Sequence, residues 1–492
     1  MAITAPHVVV VVGGGLGGLV AAESLLRQEG APIRVLLLEP NDVGGVVGTV
    51  HRDGWLVEQS ADNFLAARPE GLGLVNRLGL ADELIPVNEP ARRALVYSAG
   101  RTLPVPAGFR LMAPALAKGI LESDILSPAG KARLLDEANV APAIGGGDES
   151  LESFAVRRLG REAFDRLVQP LVAGIWTADP ARLSMTAACP EFLDMERVHG
   201  SLIRGEEDRL RRLGDSHQGI GARYGQFVTL ASGMGTLPAR LMEWLTAAGM
   251  ERRRMRAESI ERLADGRWQV VASERGLPAT LIAADGVVVA VPAPAAAGVL
   301  RGVDETLAAD LAGIEYAGSV VVVVGFSRDD VAHPLDAAGL VVPRIEGRGI
   351  LAVSFSSSKF PGRAPEGCVL LRVFVGGALD PARALLDDEK IVALVEAELS
   401  DMLGVRGKPR LVQIARWPSA MPQYHLGHCQ RLSRITERLN ALPGLGLAGA
   451  AYEGVGIPQV IASGQAAAQR VGAAVQGMNR RTDWRVIKRS GG

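Results

Sequence analysis

His7-Val8-Val9-Val10-Val11-Val12-Gly13-Gly14-Gly15-Leu16-Gly17-Gly18 decides the fold of this chain. Five successive valines read as a buried strand, and Leu16 to Gln28 then carries helical periodicity. Ile33 to Leu38 is a second apolar strand, so the opening is a βαβ unit with a parallel sheet. Between strand and helix stands G-x-G-x-x-G. Gly13 permits the tight turn, Gly15 lets backbone approach a pyrophosphate, and Gly18 lets helix and sheet pack closely. Gly14, Leu16 and Gly17 complete the loop, and the helix N-terminus turns its partial positive charge to the phosphates. Glu39 ends the second strand, where a carboxylate accepts from ribose hydroxyls. This reading leaves NAD and FAD open. Gly44-Gly45 and a second glycine-rich turn near the C-terminus favour FAD.

Composition narrows the class. A chain of 492 residues predicts two or three domains. With 53 basic and 54 acidic residues and no basic stripe, nucleic acid is not an expected partner. Cys189, Cys368 and Cys429 lie far apart without a C-x-x-C pair. His425 and His428 sit close together but lack carboxylate or cysteine companions, so no metal site is expected. No basic segment precedes Val8–Val12, so a secretory signal is not expected. The most apolar candidate span, Gly286 to Leu300, is interrupted by Pro292 and Pro294. It falls short of the ~18 apolar residues that a membrane crossing requires. The expected location is the cytoplasm, with peripheral contact on the inner face of the membrane as a further expectation.

Outward from the fingerprint, Pro69 to Leu80 reads as a helix stopped at Gly79. The chain from about Pro104 to Arg212 reads as mostly helical, with a break at Ile144–Asp148. Strands are expected at Val320–Phe326, Gly339–Val342, Ile350–Phe355 and Val369–Val375, at hairpin-like spacing. Leu445–Ala448 is a final strand before a helix over Pro458–Val475. The expected fold class is α/β: a split, Rossmann-like FAD-binding domain, an antiparallel-sheet substrate domain and a helical insertion. The expected boundaries are FAD-binding segments at 1–75, 213–295 and 416–478, substrate-domain segments at 76–103 and 296–415, and a helical, membrane-contacting segment at 104–212.

Glu39, Gly44-Gly45, Thr49 and Glu58 together resemble the extended fingerprint of the amine oxidase and protoporphyrinogen oxidase superfamily, with Asp42-Val43 where an Arg is usual. Leu56 to Leu65 is similar to the stretch that passes beside the flavin, with Ser60-Ala61 in place of Gly-Pro. Leu167–Pro180, Leu183-Ser184-Met185, Gly200–Gly205, Ser356–Pro365, Pro422-Gln423-Tyr424 and Gly454–Pro458 resemble the protoporphyrinogen oxidase subgroup. The resemblance spans nearly the whole chain.

The resemblance implies FAD held by Gly13–Gly18, Glu39, Gly44, Gly45, Ser60, Ala61, Asp62, Asn63, Ala257, Trp417, Val455, Gly456 and Ile457. The last three open a helix whose N–H groups could face the flavin's pyrimidine end. A porphyrinogen, an apolar macrocycle with propionates, needs an apolar slot and one or two cations. Arg93 matches the family's propionate-binding position, with Arg92 the alternative; Val341, Leu351 and Phe374 are the candidate slot residues. No catalytic side chain is assigned, because ring hydride passes to flavin N5 and dioxygen reoxidises the flavin. The expected substrate is protoporphyrinogen IX, with coproporphyrinogen III as the alternative. An amine oxidase, a carotenoid desaturase and a flavin-free binding protein on the same fold are more distant readings. Val105–Leu121 is expected to be helical and to dip into a membrane interface or wall the substrate entrance. A homodimer is also expected.

Overall fold

A computed structural model describes residues 6–143, 145, 147–213 and 227–477. The Ile144–Asp148 break therefore falls partly outside the described residues, as does the start of the 213–295 segment.

The dinucleotide half is a five-stranded parallel sheet in the order Glu251–Arg253, Ile33–Leu38, His7–Val12, Gly286–Val289, Leu445–Leu447. Its central strands, Ile33–Leu38, His7–Val12 and Gly286–Val289, are apolar at nearly every successive residue because both faces are covered, whereas the edge strand Glu251–Arg253 is charged. Val9, Val11, Val35 and Leu37 face a core shared with helices Leu16–Leu26, Thr236–Ala247 and Ile457–Gln476. Val10, Val12, Leu36 and Leu38 face the opposite core, with helices Ala293–Leu300, Glu305–Ala312 and His428–Asn440. A three-stranded antiparallel sheet, 256–262, 268–273 and 280–284, closes that second side. Glycine sets the helix packing: a Cβ on Gly464 would stand 2.5 Å from the Gly17 carbonyl oxygen.

The second half is a seven-stranded sheet in the order Leu411–Pro422, Tyr316–Ser327, Cys368–Gly376, Ala352–Phe355, Gly339–Val341, Ala94–Ser98, Arg101–Pro104. The four strands expected here are present, and every pairing is antiparallel except Gly339–Val341 with Ala94–Ser98. That pair is parallel because a long excursion through the helical segment separates the two strands. One face packs on helix Asp388–Leu403 through Ile391, Val395 and Leu399. The other face is turned toward the dinucleotide half.

One element differs from expectation. Val105–Leu121 is not a continuous helix: Phe109–Arg110 pairs antiparallel with Ala113–Pro114, and only Ala117–Glu122 is helical. Pro106 and Pro114 lack an N–H for a helical ladder, and Gly108 turns the chain at φ +75°. Apolar content alone was a poor guide there. No helix among the described residues is long and apolar enough to cross a membrane.

Candidate active site

A cavity of about 1580 Å³ lies between the two halves, larger than the roughly 300–1,000 Å³ of a site for one small ligand. One end is formed by Gly15–Gly17, Gly44, Ser60–Phe64, Ala290–Pro292 and the 448–460 turn. The other is formed by the large sheet, by Leu171 and Gly174–Thr177, and by Phe109–Leu111.

The dinucleotide end has the chemistry of an anion cradle. Two helices, Leu16–Leu26 and Ile457–Gln476, begin at the cavity, each with glycine at the N-cap and no side chain bonded to its first amides. Those amides and the helix dipoles are left for a ligand. A Cβ on Gly15 or Gly449 would meet nothing within 4 Å, so both positions open onto free space. Gly13 (φ +106°) and Gly18 serve packing instead, since Cβ atoms there would stand 2.6 Å from the Ala290 oxygen and 2.0 Å from the Gly13 oxygen. Glu39 accepts from the Gly14 amide at 2.8 Å and the Asn41 amide at 2.9 Å. The Tyr452 hydroxyl, on the cavity wall, is buried without a hydrogen-bond partner among the described residues. These features fit an extended dinucleotide carrying a pyrophosphate.

The stretch Ser60–Asn63 forms the junction between the halves. Trp417 Nε1 donates to the Gln59 carbonyl at 2.9 Å and pins it to the sheet. Asp62 is gripped from the sheet side by Lys359 Nζ at 2.7 Å and Arg372 Nη1 at 3.0 Å. Burial opposes ionisation of Asp62, but the two cations outweigh it and hold the carboxyl at about 2. Arg372 also donates to the Ser60 carbonyl. Glu58, behind this stretch, is pushed up by burial although Thr49 Oγ1 and the Met234 amide donate to it.

The 448–460 turn is held from behind. Tyr424 Oη donates to the Ala450 carbonyl at 2.6 Å and accepts from the Gly454 amide at 2.8 Å. His428 stacks on the Tyr424 ring at 4.1 Å, and Trp176 packs at 5.0 Å.

Register orders the sheet wall. Val341, Ala352, Phe374 and Val321 are cross-strand neighbours and make an apolar row on the cavity. Two residues along, Gly339, Ser354 and Arg372 make the next row. Pleating separates the rows by roughly 7 Å.

Among the residues singled out from sequence, Gly15, Leu16, Gly17, Gly44, Ser60–Asn63, Trp417, Val455–Ile457, Val341 and Phe374 all border this cavity. Gly13, Gly14, Gly18, Gly45 and Glu39 are not on its wall and belong to the loops adjoining it. Three residues are not brought to it. Arg93 is engaged by Asp336 through both the carboxylate and the carbonyl oxygen. Leu351 precedes the strand, and Ala352 takes the place on the wall. Ala257 sits at a register shift in the small antiparallel sheet. Sequence reasoning passed over Lys359 and Arg372. Arg372 carried a signal, a lone charge within the apolar strand Cys368–Gly376.

Fold and cavity are those of an FAD-dependent oxidoreductase. Comparison with known proteins agrees. The flavin containing amine oxidoreductase family matches residues 16–472. Coproporphyrinogen III oxidase of Bacillus subtilis (strain 168) is 33% identical over 466 residues, covering 93% of this chain and 96% of that one. Coproporphyrinogen III oxidase of Propionibacterium freudenreichii is 34% identical, covering 94% and 90%. The chloroplastic protoporphyrinogen oxidase of Nicotiana tabacum is 29% identical, covering 92% and 83%. A crystal structure from Exiguobacterium sp. 255-15 superposes with a TM-score of 0.83 at 27% identity, covering 96% and 99%. This chain belongs to the flavin containing amine oxidoreductase family, and its cofactor is FAD.

Proposed function

We propose that this chain oxidises a porphyrinogen to the porphyrin with dioxygen as the final acceptor. The observation that carries the reading is the sheet wall: an apolar row flanked, one pleat away, by buried cations. A porphyrinogen has that same division, an apolar ring with carboxylates at its edge. Removing six hydrogens in three two-electron steps gives the porphyrin, and three dioxygen molecules become three of hydrogen peroxide. FAD, when bound, supplies the hydride acceptor and returns the electrons to dioxygen.

The residues of the chain supply position and environment. Val341, Ala352, Phe374 and Val321 offer a dry surface for the ring. Gly13–Gly18 and the Ile457 helix start hold the dinucleotide, Glu39 takes the ribose, and Trp417 keeps Ser60–Asn63 in place. In this reading the half built on the parallel sheet, which includes helices Ala293–Leu300 and Glu305–Ala312, holds the cofactor, and the seven-stranded sheet, which includes Leu411–Pro422, holds the substrate. Leu116, on the cavity rim, and Leu121, five residues further on, are both exposed and would make any peripheral membrane contact.

Of the two substrates we favour coproporphyrinogen III. Its two additional propionates suit a wall that carries Arg68 beside Lys359 and Arg372, the last two sharing one carboxylate, Asp62. The relatives at 33% and 34% identity also bear that name. Aerobic turnover of coproporphyrinogen III and protoporphyrinogen IX side by side, read by porphyrin fluorescence, tests both levels. Faster turnover of the first supports the full reading, and preference for the second reverses the choice of substrate. No turnover of either by FAD-loaded protein rejects the reading.

A further inference from the structure

We propose that Lys359 and Arg372, bridged by Asp62, form a carboxylate-binding subsite that takes one propionate of the substrate. This rests on the porphyrinogen reading and names the residues that recognise the acid groups.

Both cations are buried, Lys359 at 8% and Arg372 at 1% exposure, yet both border the cavity. They share one carboxylate, so the unit carries a surplus positive charge away from bulk water, which is costly without an anion. Donors are also in surplus. Among the described residues Lys359 Nζ donates to Asp62 and, at 3.4 Å, to Ser354 Oγ, and it stands 5.3 Å from the Phe360 ring centroid, leaving one ammonium hydrogen without an oxygen or nitrogen acceptor. Arg372 Nε is buried with no acceptor among the described residues. The next acid, Glu58, is engaged by Thr49 and Met234.

The register says what kind of anion fits. Arg372 lies one row from Phe374 on the same strand face, and Ser354 one row from Ala352. A ligand lying on the apolar row therefore places an edge substituent at the cations. The pyrophosphate has its own site at the Gly15 and Leu16 amides and does not need these two side chains. An apolar ring with a short carboxylate arm meets both rows at once. Arg93, the cation expected from sequence, is already paired with Asp336.

The test uses the FAD-loaded full chain and equilibrium binding of coproporphyrin III and its tetramethyl ester in one detergent buffer. Lys359→Met should weaken binding of the acid on the order of ten- to hundredfold, as loss of a charged hydrogen bond does. Binding of the ester and the flavin absorbance should be unchanged, and Lys359→Arg should recover most of the affinity for the acid. If the Met variant does not fold, Lys359→Gln is read by the same acid-to-ester ratio. An unchanged ratio overturns the subsite, and so does a change confined to flavin potential or FAD retention. A wild-type chain that binds acid and ester equally overturns the subsite alone. One that binds neither overturns the porphyrinogen reading as well.

Discussion

Arg372 and Asp62 meet at 3.0 Å across the junction of the two halves, the arginine from mid-strand in the large sheet and the aspartate from the Ser60–Asn63 stretch. With Lys359 at 2.7 Å on the same Asp62 oxygen, the contact is a buried ion cluster facing the cavity. Removing this shared carboxylate leaves two buried cations with neutral oxygen acceptors and no counter-charge in contact. Asp62→Asn should therefore cost about 3–5 kcal/mol, the range for breaking one side of a buried pair. Because the folded carboxyl titrates at about 2, below its usual 3.8, its contribution is complete above pH 3.8 and is lost as pH falls toward 2. Urea melts of both proteins at neutral pH measure the cost.

His428 sets a second pH dependence at milder acidity. Burial comes first and Arg431 second in lowering its imidazole to about 4, with His425 also repelling the charge and Asp148 and the Ala451 carbonyl favouring it. The unfolded chain takes up this proton near pH 6.5 and the folded one only near 4. Stability is then complete above 6.5 and falls by on the order of 3 kcal/mol as pH drops to 4. Phe at 428 keeps the stack on Tyr424 but cannot titrate. Melting temperature against pH should be flatter between 4 and 6.5 for His428→Phe than for wild type.

Thr177 stores strain at the cavity. It ends helix Gln169–Trp176 in the left-handed region at φ +46°, where a β-branched residue is unfavourable, and its hydroxyl has no partner among the described residues. Thr177→Gly should raise stability by about 1 kcal/mol, since glycine accepts that conformation freely. Thermal denaturation reads the sign directly, and a lower melting temperature contradicts the argument.

Gly15 and Gly18 separate cofactor space from packing space. A side chain at Gly15 points into the cavity and touches nothing, whereas one at Gly18 collides with the Gly13 backbone. Gly15→Val should give a folded, colourless protein with normal far-ultraviolet circular dichroism and no flavin absorbance. Gly18→Val should lose fold and flavin together. Yellow Gly15→Val protein would place the pyrophosphate elsewhere.

Local pattern made the dinucleotide half legible from sequence. A five-valine strand, a glycine turn and a helix within twenty residues specify their own geometry, because strand, turn and helix each follow from neighbours in the chain. The four strands from Val320 to Val375 were legible for the same reason, as short apolar runs between turns. Val105–Leu121 was misread where apolar content was weighed above Pro106, Gly108 and Pro114, which forbid a continuous helix. Which cation faces the cavity lay beyond sequence. Arg93 and Arg372 are both arginines beside apolar strand residues, and only the paired register and the approach of Asp62 and Asp336 from distant segments turn one inward and one outward. The sequence by itself determined the cofactor-binding unit and the strands. Tertiary packing alone decided the charged wall of the cavity, because Asp62, Lys359 and Arg372 become neighbours only once both halves have closed on each other.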